Sequence, residues 1–277
     1  MNIKILTDMA SDFSENEIEK YGIICLDMPL SINGEDAENI SLNEFWNKLL
    51  NGAVIKTSQV SQQNLMKVFS SVKENNELLI AIFLSSKLSN TYNSAVLIKE
   101  ELDYDGIYVM DSLCASIAEK VLVLKACELV KNGLDFKNII AFLETFKTKI
   151  RLFACIDTLK FLARGGRINS NIAQIGNILR IKPLITFDKE GRIEIIAKKI
   201  GLNMAMKELL DAVIKNKIDF SKKFYPIFAY NDKNCDYFIE LLKNKNKEII
   251  IEEKQNIGKV IGTHIGPGGF GIVCFEQ

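Results

Sequence analysis

The sequence predicts an α/β fold: an N-terminal three-layer α/β/α domain with a parallel sheet, and a C-terminal two-layer α/β domain with a mixed sheet. Strand-like and helix-like segments alternate through the first half, an order typical of a parallel sheet with helices on both faces. The run LLIAIFL at residues 78–84 is apolar on both faces, as expected of a central parallel strand. In the second half, closely spaced strands and a hairpin pattern at residues 189–191 favour a mixed sheet with helices on one face.

The elements of the first half follow from apolar periodicity and from residues that start or stop helices. Ser41, with Glu44 three residues later, is typical of a capping box, and Ser61 is expected to cap the next helix. Asn132-Gly133 is a stop signal between two long helices. The predicted strands span residues 3–7, 23–32, 78–84 and 107–110, and the predicted helices span residues 15–20, 42–50, 62–73, 91–101, 116–131 and 136–149.

The second half is predicted to begin near Asp157, which gives domains at residues 1–157 and 158–277. A short helix and the turn Gly165-Gly166 follow the boundary, and a hairpin is expected around Lys189-Glu190-Gly191. The strands predicted around and after the boundary span residues 152–156, 183–187, 192–197, 225–230 and 249–252, with helices at 204–215 and between the last two strands.

The balance of charge argues against a polyanionic partner. The chain has 35 basic and 35 acidic residues, so no overall field attracts nucleic acid or an anionic bilayer. We therefore predict no nucleic-acid partner and at most transient membrane contact. No apolar run approaches the roughly 18 residues of a membrane span, and the N-terminal MNIKILTD has the pattern of a strand and not of a signal peptide.

The cysteines and histidine indicate a reduced protein without a metal. Six cysteines occur without a C-x-x-C pair, and His264 is the only histidine, so a zinc site is not expected. The cysteines lie mostly in apolar runs, which favours buried free thiols over disulfides. Free thiols suit a reducing compartment, so we predict a cytoplasmic protein with no cofactor.

Four clusters of small polar residues follow predicted strands. In an open α/β sheet, the carboxyl ends of the strands line the binding crevice, where hydroxyl and N–H groups can bind an anion. The alternative is that each cluster only caps the helix that follows it. Both interpretations stay open from the residues alone. The clusters are TDMASD at 7–12, TSQVS at 57–61, SSKLSNTYNS at 85–94 and DSLCAS at 111–116.

Two glycine-containing turns carry the remaining candidate groups. GTHIGPGGFG at 262–271 has five glycines around His264, and the chain continues for only six residues, too few for a dinucleotide-binding unit. His264 is either structural or functional; in the second case it donates a hydrogen bond to an acid group, or changes its own protonation near neutral pH. Arg164 and Arg167 flank Gly165-Gly166, as a solvated turn or as a phosphate- or partner-facing one. No motif supplies a nucleophile and its base, although a hydrolase that uses Ser85 or Ser89 with His264 stays possible.

Six motifs, taken in order along the chain, resemble those of the DegV family, the fatty-acid-binding proteins of bacterial fatty acid kinase systems. Each motif is weak by itself, but the ordered set spans nearly the whole chain and is specific. The motifs are TDMASDF, TSQVS, SSKLSNTYNSA, DSLCAS, LKFLARGGRI and GTHIGPGGFGI.

The resemblance implies a protein that holds a long-chain fatty acid in a buried tunnel between its two domains. A partner, the fatty acid kinase, then phosphorylates the presented carboxyl group to an acyl-phosphate used in phospholipid synthesis. The chain itself is expected to be a binding protein with no catalytic residue. The family's carboxylate-binding threonine, serine and histidine fall on Thr57, Ser89 and His264. The predicted carboxylate site also includes the neighbouring residues Ser58, Ser86 and Asn90.

The chain departs from the family pattern at positions that bear on this function. Asn90 stands where glycine is usual in SSKLSNTY, and Ile200 stands where arginine is common. The first change lies in the predicted carboxylate site and the second bears on recognition by the kinase. An autonomous lipid esterase or phosphotransferase, or a regulatory lipid-binding module, is the alternative function.

Overall fold

The structure, a computed structural model, describes residues 2–37, 39–168 and 181–277. Its backbone contacts define two units, each assembled from stretches that lie apart in the sequence. The first unit comprises Met1–Leu30, Thr57–Thr148 and Lys189–Arg192, and the second comprises Ser31–Lys56, Lys149–Asp188 and Ile193–Gln277.

The described residues form strands and helices that we number along the chain. The strands are β1 (Ile3–Asp8), β2 (Ile24–Leu26), β3 (Leu30–Ile32), β4 (Glu35–Asp36), β5 (Ile55–Thr57), β6 (Leu78–Phe83), β7 (Ile107–Asp111), β8 (Ile150–Cys155), β9 (Ile181–Phe187), β10 (Ile193–Ile200), β11 (Lys223–Phe228), β12 (Ile250–Ile251), β13 (Gln255–Asn256) and β14 (Phe270–Phe275). The α-helices are α1 (Glu15–Tyr21), α2 (Leu42–Leu50), α3 (Gln62–Glu74), α4 (Thr91–Leu102), α5 (Ile117–Lys131), α6 (Phe136–Lys147), α7 (Lys160–Arg164), α8 (Leu202–Lys215), α9 (Lys233–Lys245) and α10 (Lys259–Ile265).

The first unit is built on a parallel sheet of order β2-β1-β6-β7. Strand β6 lies between β1 and β7, and all but the first of its residues are buried. An apolar side chain at every position makes this burial favourable on both faces of the sheet. Ser61 caps the N-terminus of helix α3, and its hydroxyl accepts a hydrogen bond from Asn64 N, as the sequence predicts.

The second unit is built on a mixed sheet of order β10-β9-β8-β14-β11-β12. Strands β8, β9 and β10 are antiparallel neighbours, and β14 runs antiparallel to both β8 and β11. Strands β12 and β13 pair with β11 in the parallel sense, which makes the sheet mixed. The predicted α/β class, with one parallel and one mixed sheet among helices, is confirmed.

In the stretch Ser31–Lys56, which belongs to the second unit, α2 carries aromatic side chains that pack on α10. Phe45 and Trp46 are buried, with their rings in edge contact at 4.8 Å between centroids. A Cβ atom at Gly262 of α10 would lie 2.8 Å from Trp46 Cη2, so the indole fits there only because residue 262 is glycine. The Lys259 ammonium group also donates to the Ile40 carbonyl at 2.9 Å.

Two sequence predictions differ from these elements. The strand predicted at 23–32 is divided into β2 and β3, and Pro29, which has no N–H for a ladder, lies between them. The boundary near Asp157 describes two contiguous domains, whereas each compact unit combines separate stretches. Residues 31–56 join the second unit through α2, and residues 189–192, at the turn between β9 and β10, group with the first.

All six cysteines lie in the described part of the chain and are free thiols. Cys114, Cys155, Cys235 and Cys274 are buried. Burial raises the pKa of Cys155 and Cys235 to about 12 and that of Cys127 to about 11. Over residues 2–37, 39–168 and 181–277, His, Cys, Asp and Glu form no group of three able to hold a metal ion. Within the same ranges, no helix has both the length and the apolar composition needed to cross a bilayer.

We expect Trp46→Ala to destabilise the protein by about 3–5 kcal/mol, because it leaves a cavity against Phe45 and Gly262. Leu50→Ala in the same helix is the control, since Leu50 is 49% exposed, and it should change the free energy of unfolding by less than about 1 kcal/mol. Urea unfolding followed by far-UV circular dichroism measures both, because Trp46 is the only tryptophan and its fluorescence is lost in the variant. Equal effects of the two substitutions would contradict the packing described for α2.

Candidate functional site

Three of the four polar clusters lie at one edge of the parallel sheet. Strands β1, β6 and β7 run in the same direction, and each leads into one cluster. TDMASD overlaps the end of β1 at Asp8, SSKLSNTYNS follows β6, which ends at Phe83, and DSLCAS starts at Asp111, the last residue of β7. The carboxyl ends of parallel strands are the usual location of a ligand crevice in an open α/β sheet. Hydrogen bonds between the clusters decide which of them are available to a ligand.

TDMASD and DSLCAS bind each other. The Ser116 hydroxyl donates to Asp12 Oδ2 at 2.5 Å, and Ser116 N donates to the Ala10 carbonyl at 2.7 Å. Asp8 Oδ1 accepts from Ala10 N at 2.9 Å, and Asp8 Oδ2 accepts from Leu84 N at 3.2 Å. The side chains of these two clusters therefore stabilise the loops that follow β1, β6 and β7.

Buried carboxyl groups make the TDMASD end of this edge unsuitable for an anion. Burial raises the pKa of Asp8 to about 7, against the lowering effect of its hydrogen bonds from Ala10 N and Leu84 N. Burial and then the charge of Asp8 raise the pKa of Glu119 well above its usual range, while Thr7 donates to Glu119 Oε1 at 3.1 Å. The burial that raises the pKa values of Asp8 and Glu119 would equally disfavour an ionised ligand carboxylate here.

TSQVS and SSKLSNTYNS are joined through the first turn of α4. Val60 N donates to Thr91 Oγ1 at 3.2 Å, and the Thr91 and Ser89 hydroxyls are 3.0 Å apart. The Gln59 amide donates to Ser94 Oγ at 3.1 Å. The structure therefore brings together the two segments that carry the predicted Thr57 and Ser89.

The predicted residues of these two segments differ in exposure. Thr57 is half-buried at the end of β5, whereas the next residue, Ser58, is exposed and its N–H donates to the Pro29 carbonyl at 2.9 Å. Ser86 N donates to both carboxylate oxygens of Asp111, at 3.3 and 3.2 Å. Asn90 precedes α4 with φ −84°, so it has an ordinary backbone conformation in place of the usual glycine.

In the second unit, the two glycine-containing turns pack on each other. A Cβ atom at Gly165 would lie 2.2 Å from His264 Nδ1, and one at Gly266 would lie 2.2 Å from Phe161 Cδ2. Each glycine thus provides the space for a ring of the opposite turn. Helix α7 places Phe161, and α10 places His264 in its last turn.

His264 is held neutral by its surroundings. Burial lowers the pKa of His264 to about 4, and the positive charges of Arg167 and then Arg164 add to the effect. The prediction of a histidine that titrates near neutral pH therefore differs from the structure. A neutral imidazole keeps one N–H, so His264 is able to donate a single hydrogen bond without carrying charge.

Both predicted arginines lie in the turn after α7. Arg164 is exposed, with its guanidinium carbon 5.2 Å from the centre of the Phe161 ring. Arg167 is half-buried, its guanidinium donates to the Gly165 carbonyl, and burial lowers its pKa. Their charges reach His264, so the arginine turn and the histidine turn form one positively charged region of the second unit.

A groove of about 660 Å³ lies beside β10 in the second unit. This volume falls within the roughly 300–1,000 Å³ that is typical of small-molecule sites. Of the described residues that line it, four are apolar, one is a lysine and two are acidic. The lining residues are Ile168, Asp188, Ile193, Glu194, Ile195, Ala197 and Lys198.

Sequence patterns left several structural residues of the site unidentified. Gly165 and Asp111 contact predicted site residues, but neither belongs to the predicted carboxylate set. The signals present were the pair Gly165-Gly166 and an aspartate directly after a strand. Neither signal predicts which residue is contacted. Gly165 contacts His264, which lies about a hundred residues away in sequence, and Asp111 contacts Ser86, which follows a different strand.

We expect His264 to make folding stability depend on acid pH. Its pKa is lowered on folding, so the unfolded chain binds a proton more readily below the ordinary value of 6.5, and stability falls as the pH drops from about 6.5 towards 4. The loss attributable to this group at pH 4.5 should be on the order of 2–3 kcal/mol. His264→Gln should lack this component when urea unfolding is compared at pH 7 and pH 4.5.

An NMR titration of the same ring is independent of folding measurements, because His264 is the only histidine and its ring signals need no assignment. A midpoint near 6.5 in the folded protein would contradict the buried, arginine-flanked environment.

Similarity to known proteins shows the family of this chain. The family model described as "Uncharacterised protein, DegV family" matches residues 2–277. A DegV domain-containing protein of Caldanaerobacter subterraneus subsp. tengcongensis is 32% identical over 278 residues, which cover 99% of both chains. A "Fatty acid-binding protein" of Thermotoga maritima is 31% identical over 291 residues, which cover 100% of this chain and 99% of the relative. The crystal structure of DegV, a fatty acid binding protein from Bacillus subtilis, is 30% identical with a TM-score of 0.82, and 100% of each chain is covered. The chain therefore belongs to the DegV family.

Proposed function

We propose that this chain binds one long-chain fatty acid and presents its carboxyl group to a partner kinase, which forms the acyl-phosphate in the cytoplasm. The observation that carries the proposal is the full-length match to the DegV family, with relatives at about 30% identity that are named for fatty acid binding. The chemistry of the described side chains supports the head group and the acyl chain separately.

For the head group, we propose Thr57, Ser89 and His264 as hydrogen-bond donors to the carboxylate. Hydroxyl and imidazole N–H groups form charge-assisted hydrogen bonds with a carboxylate, and these are about twice as strong as bonds between neutral groups. His264 supports this role because it stays neutral and keeps an N–H at cytoplasmic pH. The positive charges of Arg164 and Arg167, which lower the pKa of His264, also favour an anion nearby.

For the acyl chain, the apolar groove beside β10 supports lipid binding in the second unit. Ile168, Ile193, Ile195 and Ala197 line it. Each buried methylene group contributes roughly 0.8 kcal/mol, so burial of even part of a long chain gives micromolar or tighter binding. The protein then needs no chemical step of its own to retain its ligand.

For the hand-over, we propose that Arg164 and Arg167 face the kinase or the phosphoryl group. A guanidinium group suits phosphate because its fork of N–H donors can bind two oxygens at once. Ile200, where arginine is common in the family, is 74% exposed at the end of β10. The departure at this position thus lies on the surface and bears on the partner and not on the core.

An autonomous esterase is less compatible with the described side chains. The Ser85 hydroxyl is buried and donates to the Gly191 carbonyl at 2.8 Å, and the Ser89 hydroxyl contacts Thr91 Oγ1 at 3.0 Å. A serine nucleophile instead needs its hydroxyl bonded to a general base.

We expect protein purified under mild conditions to release about one long-chain fatty acid per chain on organic extraction, identified by mass spectrometry. Thr57→Ala or Ser89→Ala should weaken oleic acid binding about tenfold, because each removes one hydrogen bond to a charged group. Neither should change binding of oleyl alcohol by more than about twofold, since the alcohol has the same tail and no carboxylate.

Thr145→Ala is the control for these substitutions, because Thr145 is an exposed threonine of α6. Purified protein that contains no lipid and does not bind oleic acid would refute the proposed function. Equal losses for the acid and the alcohol would refute only the assignment of Thr57 and Ser89.

With an ATP-dependent fatty acid kinase from the same organism, Arg164→Ala should lower the rate of acyl-phosphate formation about tenfold or more. The rate is measured at saturating oleic acid, so that a loss of oleic acid affinity in the variant does not contribute to it. Lys215→Ala, which removes another exposed cation of the second unit, is the control. An unchanged rate in Arg164→Ala would remove this residue from the hand-over. The absence of any lipid phosphorylation by the wild-type pair would refute the kinase half of the proposal.

A further inference from the structure

The tip of the β9–β10 hairpin groups with the first unit, although both of its strands belong to the second. Residues Lys189–Arg192, which we call the hairpin tip, group with this unit by their contacts. Gly191 is buried at φ +82°, whereas its neighbours Lys189, Glu190 and Arg192 are exposed. A Cβ atom at Gly191 would lie 2.3 Å from Ser85 Oγ and 2.9 Å from Leu113 Cα, so the backbone of the tip fits closely against the loops that follow β6 and β7.

Ser85 connects the hairpin tip to the segment Ser85–Asn90, which we call the hydroxyl loop. Its hydroxyl donates to the Gly191 carbonyl at 2.8 Å and accepts from Lys87 N at 3.1 Å. Its carbonyl accepts from Leu88 N at 2.9 Å and from Ser89 N at 3.1 Å. One buried residue therefore contacts the hairpin tip with its side chain and fixes the turn that carries Ser89 with its backbone.

The other hydrogen bonds that hold the hydroxyl loop come from β7 and the loop that follows it. Ser85 N donates to the Cys114 carbonyl at 2.7 Å, and Ser86 N donates to the Asp111 carboxylate. Leu113 has φ +58° and donates its N–H to Asp111 Oδ1 at 2.9 Å. The sheet thus holds the start of the loop, and the hairpin tip is the contact that comes from a distant part of the sequence.

We propose that Gly191 and Ser85 form a latch through which the hairpin tip holds the hydroxyl loop in the conformation that places Ser89 for carboxylate binding. Ser85 is a positioning residue in this scheme and does not contact the ligand. The inference rests on the proposed function for its ligand, but the latch itself is a property of the lipid-free protein. In the latch, Ser85 has a positioning role, whereas in the hydrolase alternative it would be the nucleophile.

Two variants test the latch from opposite sides. Ser85→Ala removes the donor, and Gly191→Ala adds a Cβ atom that collides with Ser85 Oγ and Leu113. Gly133→Ala is the matched control, since Gly133 has φ +77° in the same unit and nothing within 4 Å of its Cβ position. It reproduces the backbone strain of Gly191→Ala without the collision.

The first measurement is amide hydrogen exchange in lipid-free protein. In Ser85→Ala and Gly191→Ala, the Leu88 and Ser89 amides should exchange about tenfold faster or more, because the turn opens locally. Gly133→Ala should leave them unchanged. Two results would overturn the latch. One is faster exchange in Ser85→Ala that is confined to the Lys87 amide, whose acceptor is the Ser85 hydroxyl; the other is unchanged exchange of the Leu88 and Ser89 amides in Gly191→Ala.

The second measurement is the affinity for oleic acid and for oleyl alcohol. The latch variants should bind the acid about tenfold more weakly and the alcohol within about twofold of the wild type, since the loop acts through the carboxylate. Equal weakening of both ligands would indicate a merely structural role and overturn the positioning role. If the wild type binds no oleic acid, the proposed function fails, and the exchange rates alone decide whether the latch exists.

Discussion

The first unit depends on how it satisfies backbone N–H groups at the ends of its parallel strands, away from water. A buried N–H without an acceptor costs about 1–3 kcal/mol. Asp8 accepts from Leu84 N and Asp111 accepts from Ser86 N, so carboxyl groups at the ends of β1 and β7 stabilise the loop that follows β6. The acidic residues at this edge therefore have a structural role.

The second unit uses glycine for a different purpose. Because Gly165 and Gly266 have no side chain, the rings of His264 and Phe161 fit against them. This packing lies beside Arg164 and Arg167, whose charges act on His264. Desolvation and like charge act in the same direction on a base, so the imidazole is kept neutral over the whole physiological range.

The sequence predicts the fold class because its signals are local. The apolar run that forms β6, the cap at Ser61 and the hairpin around Gly191 each depend on a few neighbouring residues. The division into units, the packing of Trp46 on Gly262 and the contact of Gly165 with His264 join residues far apart in sequence, and neither periodicity nor turn propensity identifies such partners. For the same reason, the family resemblance predicts Thr57 and Ser89 as carboxylate ligands without showing how they meet, whereas the bonds through Val60 and Thr91 that bring their segments together required the structure.

The burial of the cysteines has a practical consequence for work on this chain. A thiol reacts with alkylating agents and peroxide as the thiolate, and a pKa of about 12 at Cys155 and Cys235 leaves almost no thiolate at neutral pH. Even the partly accessible Cys127, at about 11, is nearly all protonated there. A single cysteine introduced on an exposed helix would therefore be labelled selectively by a maleimide dye, so fluorescence reporters of ligand exchange can be attached without first replacing the native thiols.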